Sequence, residues 1–236
     1  MAILNVTPDS FYAASRIGST DELVRRAHQA LADGAAILDL GACSTRPNSI
    51  PATEEEEWQR LEPALDALRT AMPDTQLSLD TFRPEIARRA LEQFGSMIIN
   101  DVSGGNDEMF DVVRTYRAPY IWTICGKYEW LNHIDRLADI DLILDPGLGF
   151  IGGVDNDYAC LRQLDRLREY GREILVGVSR KSMIWKLLGI TPEDSLTGTQ
   201  VLHLYALQHG ATILRVHDVR AAAHTIRLYN KIYNNK

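Results

Sequence analysis

The stretch Ile174-Leu175-Val176-Gly177-Val178-Ser179-Arg180-Lys181-Ser182 reads as a buried strand that hands a polar cluster to the start of a helix. A short apolar run rich in β-branched residues suits a strand covered on both faces. The helical pattern Met183-Ile184-Trp185-Lys186-Leu187-Leu188 follows directly, and a helix start offers free backbone N–H groups and partial positive charge. A lysine and a serine placed there make a socket for an anion or an electron-rich ring. Taken alone, Lys181 would be a solvated cation and Ser182 a simple N-cap.

The same event recurs along the chain. Asp39 closes Ala36-Ile37-Leu38, Asp80 closes Leu77-Ser78-Leu79, Asn100 and Asp101 close Met97-Ile98-Ile99, and Asp145 closes Leu142-Ile143-Leu144. Arg215 and His217 punctuate Ile213-Leu214-Arg215-Val216-His217-Asp218, and Asn5 ends the first apolar run. Parallel strands that each deliver a polar residue at one end bring those residues together on one face.

Further strands are expected over 2–6, 36–40, 76–80, 97–101, 119–124, 142–145 and 212–216. Helices are expected from Ser19 or Thr20 to Gly34, from Thr53 through Leu68, and over 84–94, 107–116, 128–137, 158–170, 182–188, 194–209 and 219–233. The run Glu54-Glu55-Glu56-Glu57 reads as a solvated acidic helix start, since neighbouring helical positions do not share a face. Eight strands alternating with helical segments define one (β/α)8 TIM barrel domain over 1–236, with its active site at the C-terminal ends of the strands. A doubly wound sheet is the alternative, disfavoured because no glycine-rich dinucleotide fingerprint follows the first strand.

A chain of 236 residues, 45% hydrophobic and 24% charged, is an ordinary length and composition for such a domain. The net charge of −7 argues against a nucleic-acid partner. Cys43, Cys125 and Cys160 show neither metal-ligand spacing nor a disulfide framework and fit a reducing cytoplasm. No apolar run approaches a membrane span, and no signal peptide is expected.

In sequence order, seven segments resemble the motifs of the dihydropteroate synthases: 3–11, Ser44-Thr45-Arg46-Pro47, Asp80-Thr81, 99–105, Asp145-Pro146-Gly147-Leu148-Gly149-Phe150, Val178-Ser179-Arg180-Lys181-Ser182 and Arg215-Val216-His217-Asp218. The resemblance implies condensation of a dihydropterin diphosphate with para-aminobenzoate in folate biosynthesis. By similarity, Asp80, Asn100, Asp145 and Lys181 hold the pterin, while Asn5, Arg215 and His217 hold the diphosphate, with Asn5 on a Mg²⁺ ion. Thr45, Arg46, Pro47, Phe150 and Ser182 would hold the aminobenzoate, the slot that sulfonamides imitate. Lys181, Arg215 and His217 carry the chemistry in this reading. The family also implies a homodimer through the late helices, with Trp185, Leu187 and Leu188 as candidate contacts, although core packing explains those three equally well.

Three departures stand out. Tyr12-Ala13-Ala14-Ser15 replaces a Ser-Asp-Gly-Gly continuation, so Ala13 lacks a carboxylate. Thr123-Ile124-Cys125-Gly126 replaces a Met-His-Met type segment. Ile151-Gly152-Gly153 follows Phe150 where a lysine is usual. These departures make a weakened or inactive pterin-binding paralogue the alternative function. A pterin-dependent methyltransferase is a third reading, which the Ser-Thr-Arg-Pro and Arg-Val-His-Asp motifs disfavour.

Overall fold

Eight strands run parallel in sequence order: β1 (Ala2–Asn5), β2 (Ile37–Gly41), β3 (Gln76–Asp80), β4 (Ile98–Asp101), β5 (Tyr120–Thr123), β6 (Leu142–Asp145), β7 (Glu173–Val176) and β8 (Ile213–Leu214). The coordinates are a computed structural model, in which residues 1–6, 19–43 and 52–234 are described. The sheet curls until its edges meet. Val216 bridges Ala2 in parallel, Ile3 N–H donates to the Val216 carbonyl at 3.0 Å, and Val216 N–H donates to Met1 at 3.0 Å. Joining the edges pairs each of the described strands on both sides, which leaves none of them open to template aggregation.

The helices between strands are α1 (Thr20–Ala32), α2 (Glu54–Ala71), α3 (Pro84–Phe94), α4 (Asp107–Tyr116), α5 (Val154–Leu161), α6 (Asp165–Arg168), α7 (Ser182–Leu188), α8 (Leu196–Gln208) and α9 (Val219–Tyr229). Local chemistry sets their starts. Ser19 caps α1 by accepting from Glu22 N–H at 3.2 Å, and Thr53 with Glu56 forms a reciprocal capping box on α2. Pro84 opens α3, where its missing N–H costs nothing, and Asn106 caps α4.

Several expected elements differ. The segment Tyr128–Leu137 is a 3-10 helix, and the single helix expected over 158–170 is two short ones, α5 and α6. Strand β8 is only two residues long, although Arg215 N–H still donates to the Val176 carbonyl at 3.0 Å and Val216 bridges Ala2. Strand β2 runs to Gly41, so Asp39 lies in its middle rather than at its end.

Along each strand alternate residues face the helices or the inside of the curled sheet. Leu38, Leu40, Leu77 and Leu79 belong to the large core under the helices. A second, smaller cluster of Ile98, Ile121, Ile143 and Leu175, with Met1, Ile37 and Ile213 against it, fills the inside near the strand beginnings. Each such fully buried aliphatic side chain stabilises by about 1.5–3 kcal/mol. No helix among the described residues is long and apolar enough to cross a membrane.

Candidate active site

Two residues beyond six of these floor residues the character changes, Met1, followed by apolar Ile3, being the exception. Ile37 is followed by Asp39, Ile98 by Asn100, Ile121 by Thr123, Ile143 by Asp145, Leu175 by Gly177 and Ile213 by Arg215. A step of two keeps a side chain on the same face, so these residues form a layer directly above the floor, toward the C-terminal strand ends.

One half of the layer is a closed ion network. The Asp39 carboxylate, fully buried, accepts from Arg215 Nε at 2.7 Å, Ser78 Oγ at 2.6 Å and Asn100 Nδ2 at 3.3 Å. The same guanidinium reaches Asp80 Oδ2 through Nη2 at 2.5 Å. Burial alone would lower the Arg215 pKa, but the Asp39 and Asp80 charges outweigh it and hold the group above its ordinary range. Burial pushes Asp80 up to about 7 against the pull of Arg215, with Asp39 adding to the rise. Two carboxylates thus orient a fixed cation at the mouth, a geometry suited to a phosphate.

The other half is looser. Asp145 accepts from Gly147 N–H at 2.8 Å, and burial raises its pKa despite the Lys181 charge nearby. Lys181 hydrogen-bonds the Leu148 carbonyl and stands 4.8 Å over the Phe150 ring. Burial lowers its pKa to about 8, with Asp145 opposing the fall. Gly149 permits this approach: at φ +90°, a Cβ there would lie 2.8 Å from Lys181 Cδ. Asp157 accepts from Gly149 N–H at 2.7 Å and steadies the same loop.

The polar run after β7 divides its labour. Arg180 forms a bidentate pair with Asp218 at 2.8 and 3.0 Å and also donates to the Pro192 carbonyl at 2.9 Å, so it fastens loops together. Ser179 Oγ accepts from His217 N–H at 3.2 Å. Burial, reinforced by the Arg215 charge, lowers the His217 pKa to about 4, and the residue borders a cavity of about 260 Å³ beside Arg25 and Arg26. Lys181 itself is the N-cap of α7, and Ser182 is its first helical residue.

Asn5 ends β1, and its Oδ1 lies 3.4 Å from where a Cβ on Gly41 would stand, with Asp80 Oδ2 at 3.5 Å from the same point. These oxygens suit a hard cation that takes further ligands from a phosphate, and no group of three His, Cys, Asp or Glu side chains among the described residues offers an all-protein metal site. Phe150 is half exposed at the mouth. Thr45, Arg46 and Pro47, and Ala13 of the first loop, lie outside the described residues.

Two residues that the sequence reading gives no site role turn out to organise the region. Asp39 is the hub of the network, and the two-residue step from Ile37 is the signal that would have found it. Glu57, expected to be solvated with its neighbours, is instead fully buried, accepting from Thr81 Oγ1 at 2.7 Å and paired with Arg83. Burial raises its pKa, with the Thr81 hydrogen bond opposing that shift. Arg83 also donates to the Ala52 carbonyl, and Arg60 donates to the Ala42 carbonyl at 3.1 Å. The two flanks of the Thr45 segment are therefore anchored to α2 and to the turn after β3. Asp101, which closes β4 beside Asn100, accepts from Ser103 N–H at 2.7 Å and Tyr120 Oη at 2.9 Å and so braces its own turn.

The profile of a family described as pterin binding enzymes matches residues 1–129 and 131–217. A dihydropteroate synthase from Synechocystis is 34% identical over 99% of this chain and 89% of its own length. The structure of a dihydropteroate synthase from Clostridium difficile, obtained in the presence of pteroic acid, superposes with a TM-score of 0.88 at 32% identity, covering 98% of this chain and 95% of that one. A Yersinia pestis dihydropteroate synthase in complex with a sulfonamide drug matches with a TM-score of 0.90 at 28% identity, over 99% and 93% of the two chains.

Proposed function

The chain belongs to the pterin binding enzymes, and from that membership we infer that it acts as a dihydropteroate synthase of folate biosynthesis, working as a single barrel domain with its site at the C-terminal strand ends. The reaction joins a 6-hydroxymethyl-7,8-dihydropterin diphosphate to para-aminobenzoate, releasing diphosphate. The observation that carries the reading is the inner polar layer: a clamped guanidinium on one side, and a lysine with a buried carboxylate on the other.

In this reading Asp145 accepts from the amino-pyrimidine edge, Asn100 and Asp80 contribute further polar contacts, and Lys181 donates to the ring. Arg215 holds the diphosphate, with His217 as a neutral donor beside it and Asn5 on the ion. Mg²⁺, when bound, neutralises charge on the departing diphosphate. The bond between the pterin methylene carbon and the diphosphate oxygen breaks, and its electron pair leaves with the diphosphate. The arylamine nitrogen then bonds to that carbon and loses a proton to solvent. Thr45, Arg46, Pro47, Phe150 and Ser182 position the aminobenzoate. The protein's part is positioning and electrostatic stabilisation, without a covalent intermediate.

Leu187 and Leu188 on α7 and Val201 on α8 are exposed, so core packing does not account for them, whereas Trp185 is half-buried. A second copy covering this face gives the homodimer. Sedimentation should show a dimer that Leu187→Glu dissociates, and a monomeric parent would remove the proposal. Three free thiols fit a cytoplasmic setting. The functional test is turnover of pterin diphosphate with para-aminobenzoate in Mg²⁺. Product formation that sulfonamide inhibits competitively against aminobenzoate is expected. Pterin binding by folded protein with no product would favour the non-catalytic paralogue.

A further inference from the structure

Thr123 ends β5 on the inner face, two residues beyond the floor residue Ile121 and paired in register with Asp145. Its side chain is fully buried, yet its hydroxyl has no hydrogen-bond partner among the described residues. Such a hydroxyl costs stability that a valine of the same shape would not. Its methyl group is turned toward the loop after Asp145: a Cβ on Gly147 would lie 3.0 Å from Thr123 Cγ2. A β-branched side chain has few χ1 rotamers, so placing the methyl on that side limits the directions open to the hydroxyl.

On the neighbouring strand Asn100 is in a matching state. Its Nδ2 is committed to Asp39, while its buried Oδ1 has no partner among the described residues. The inner faces of β4, β5 and β6 therefore present an open amide oxygen, an open hydroxyl and a carboxylate, side by side. The two flanking groups are acceptors. A heterocycle edge that carries both N–H groups and bare ring nitrogens needs a donor between them, and the Thr123 O–H can supply one, since the Asn100 amide N–H is already committed to Asp39.

We propose that Thr123 is a specificity-determining residue of the pterin site, its Oγ1 donating a hydrogen bond to a ring nitrogen between Asn100 and Asp145. The proposal rests on the pterin-site reading above. It concerns a segment, 123–126, in which this chain departs from the family pattern, so the contact is a property of this chain's own pocket.

Calorimetric titration of the full chain with 6-hydroxymethylpterin tests it. Thr123→Val should raise the Kd by about 5–15-fold. Thr123→Ser should stay within about threefold of the parent, since it keeps the donor. The Tm of Thr123→Val should equal or exceed that of the parent, because an open buried hydroxyl is removed. If valine does not fold at this position, Thr123→Ala gives the same readout. Parental affinity in the Val or Ala variant, alongside lost affinity in Asp145→Asn, overturns the role of Thr123 while leaving the pterin site standing. Full affinity in Asp145→Asn overturns the site reading itself, and this proposal with it.

Discussion

The inside of the curled sheet holds two layers of opposite chemistry, built from the same strands. Ile98, Ile121, Ile143 and Leu175 form a dry floor. Asn100, Thr123, Asp145 and Gly177, each two residues further on, belong to the mouth together with Asp39 and Arg215. The floor obeys every rule for a core: apolar, buried and without polar atoms to satisfy. The mouth breaks those rules by burying charges and leaving polar atoms open. A fold tolerates such departures where they serve a ligand, so the boundary between stability and function runs across the strands and not between them.

Substitutions on either side of that boundary should separate the two roles. The largest effect is expected at Asp39, because Asp39→Ala leaves Arg215 and the Asn100 amide without their shared partner. Breaking a buried pair in this way costs about 3–5 kcal/mol, read by urea unfolding, and kcat should fall with it. Asp39→Ala unfolding at the parental urea concentration would show that the network is not structural. Next come Lys181→Met and Asp145→Asn, each lowering kcat/KM by about 10²–10³-fold with little change in unfolding free energy. Losing stability and activity in equal measure would instead make these residues ordinary core.

The floor should show the reverse. Ile121→Ala should lose about 2–3 kcal/mol of stability while pterin affinity per folded molecule stays at the parental value. The smallest effect is a pH dependence. The Lys181 pKa is lowered to about 8, so its cation is lost as pH rises through that value, and kcat/KM should fall above it. Lys181→Arg should move that limb to higher pH, and an unchanged limb would place the titration elsewhere.

The extent to which all this was legible in the chain differs between the layers in an instructive way. Helices α3 and α4 and strands β3 and β6 begin and end where their residues direct, because Pro84, Asn106 and the terminal aspartates are local signals. Asp80, Asn100 and Asp145 were visible for the same reason. Asp39 was misread as a strand end, since its importance comes from Arg215, 176 residues away, which no local pattern reveals. Glu57 was misjudged similarly: four adjacent glutamates look alike until Thr81 and Arg83 arrive from another turn. Thr123 stands out in the chain only as the first residue of a departure from the family segment, and the two-residue step from a floor isoleucine is what marks it as inward-facing. Segment 158–170 failed for another cause: its Leu161, Leu164 and Leu167 spacing is helical, but the chain closes 3-10 type bonds from Gln163 to Cys160 and from Leu164 to Leu161, splitting the helix.

The claim on which the rest depends is that the mouth layer encloses a single flat heterocycle. A crystal structure of this chain with pteroic acid tests it directly. The pterin ring should lie above the isoleucine floor, within hydrogen-bond distance of Asn100, Asp145 and Lys181, with the benzoate directed past Phe150. A ring bound away from these three side chains, with Asp145 and Lys181 unchanged, would contradict it.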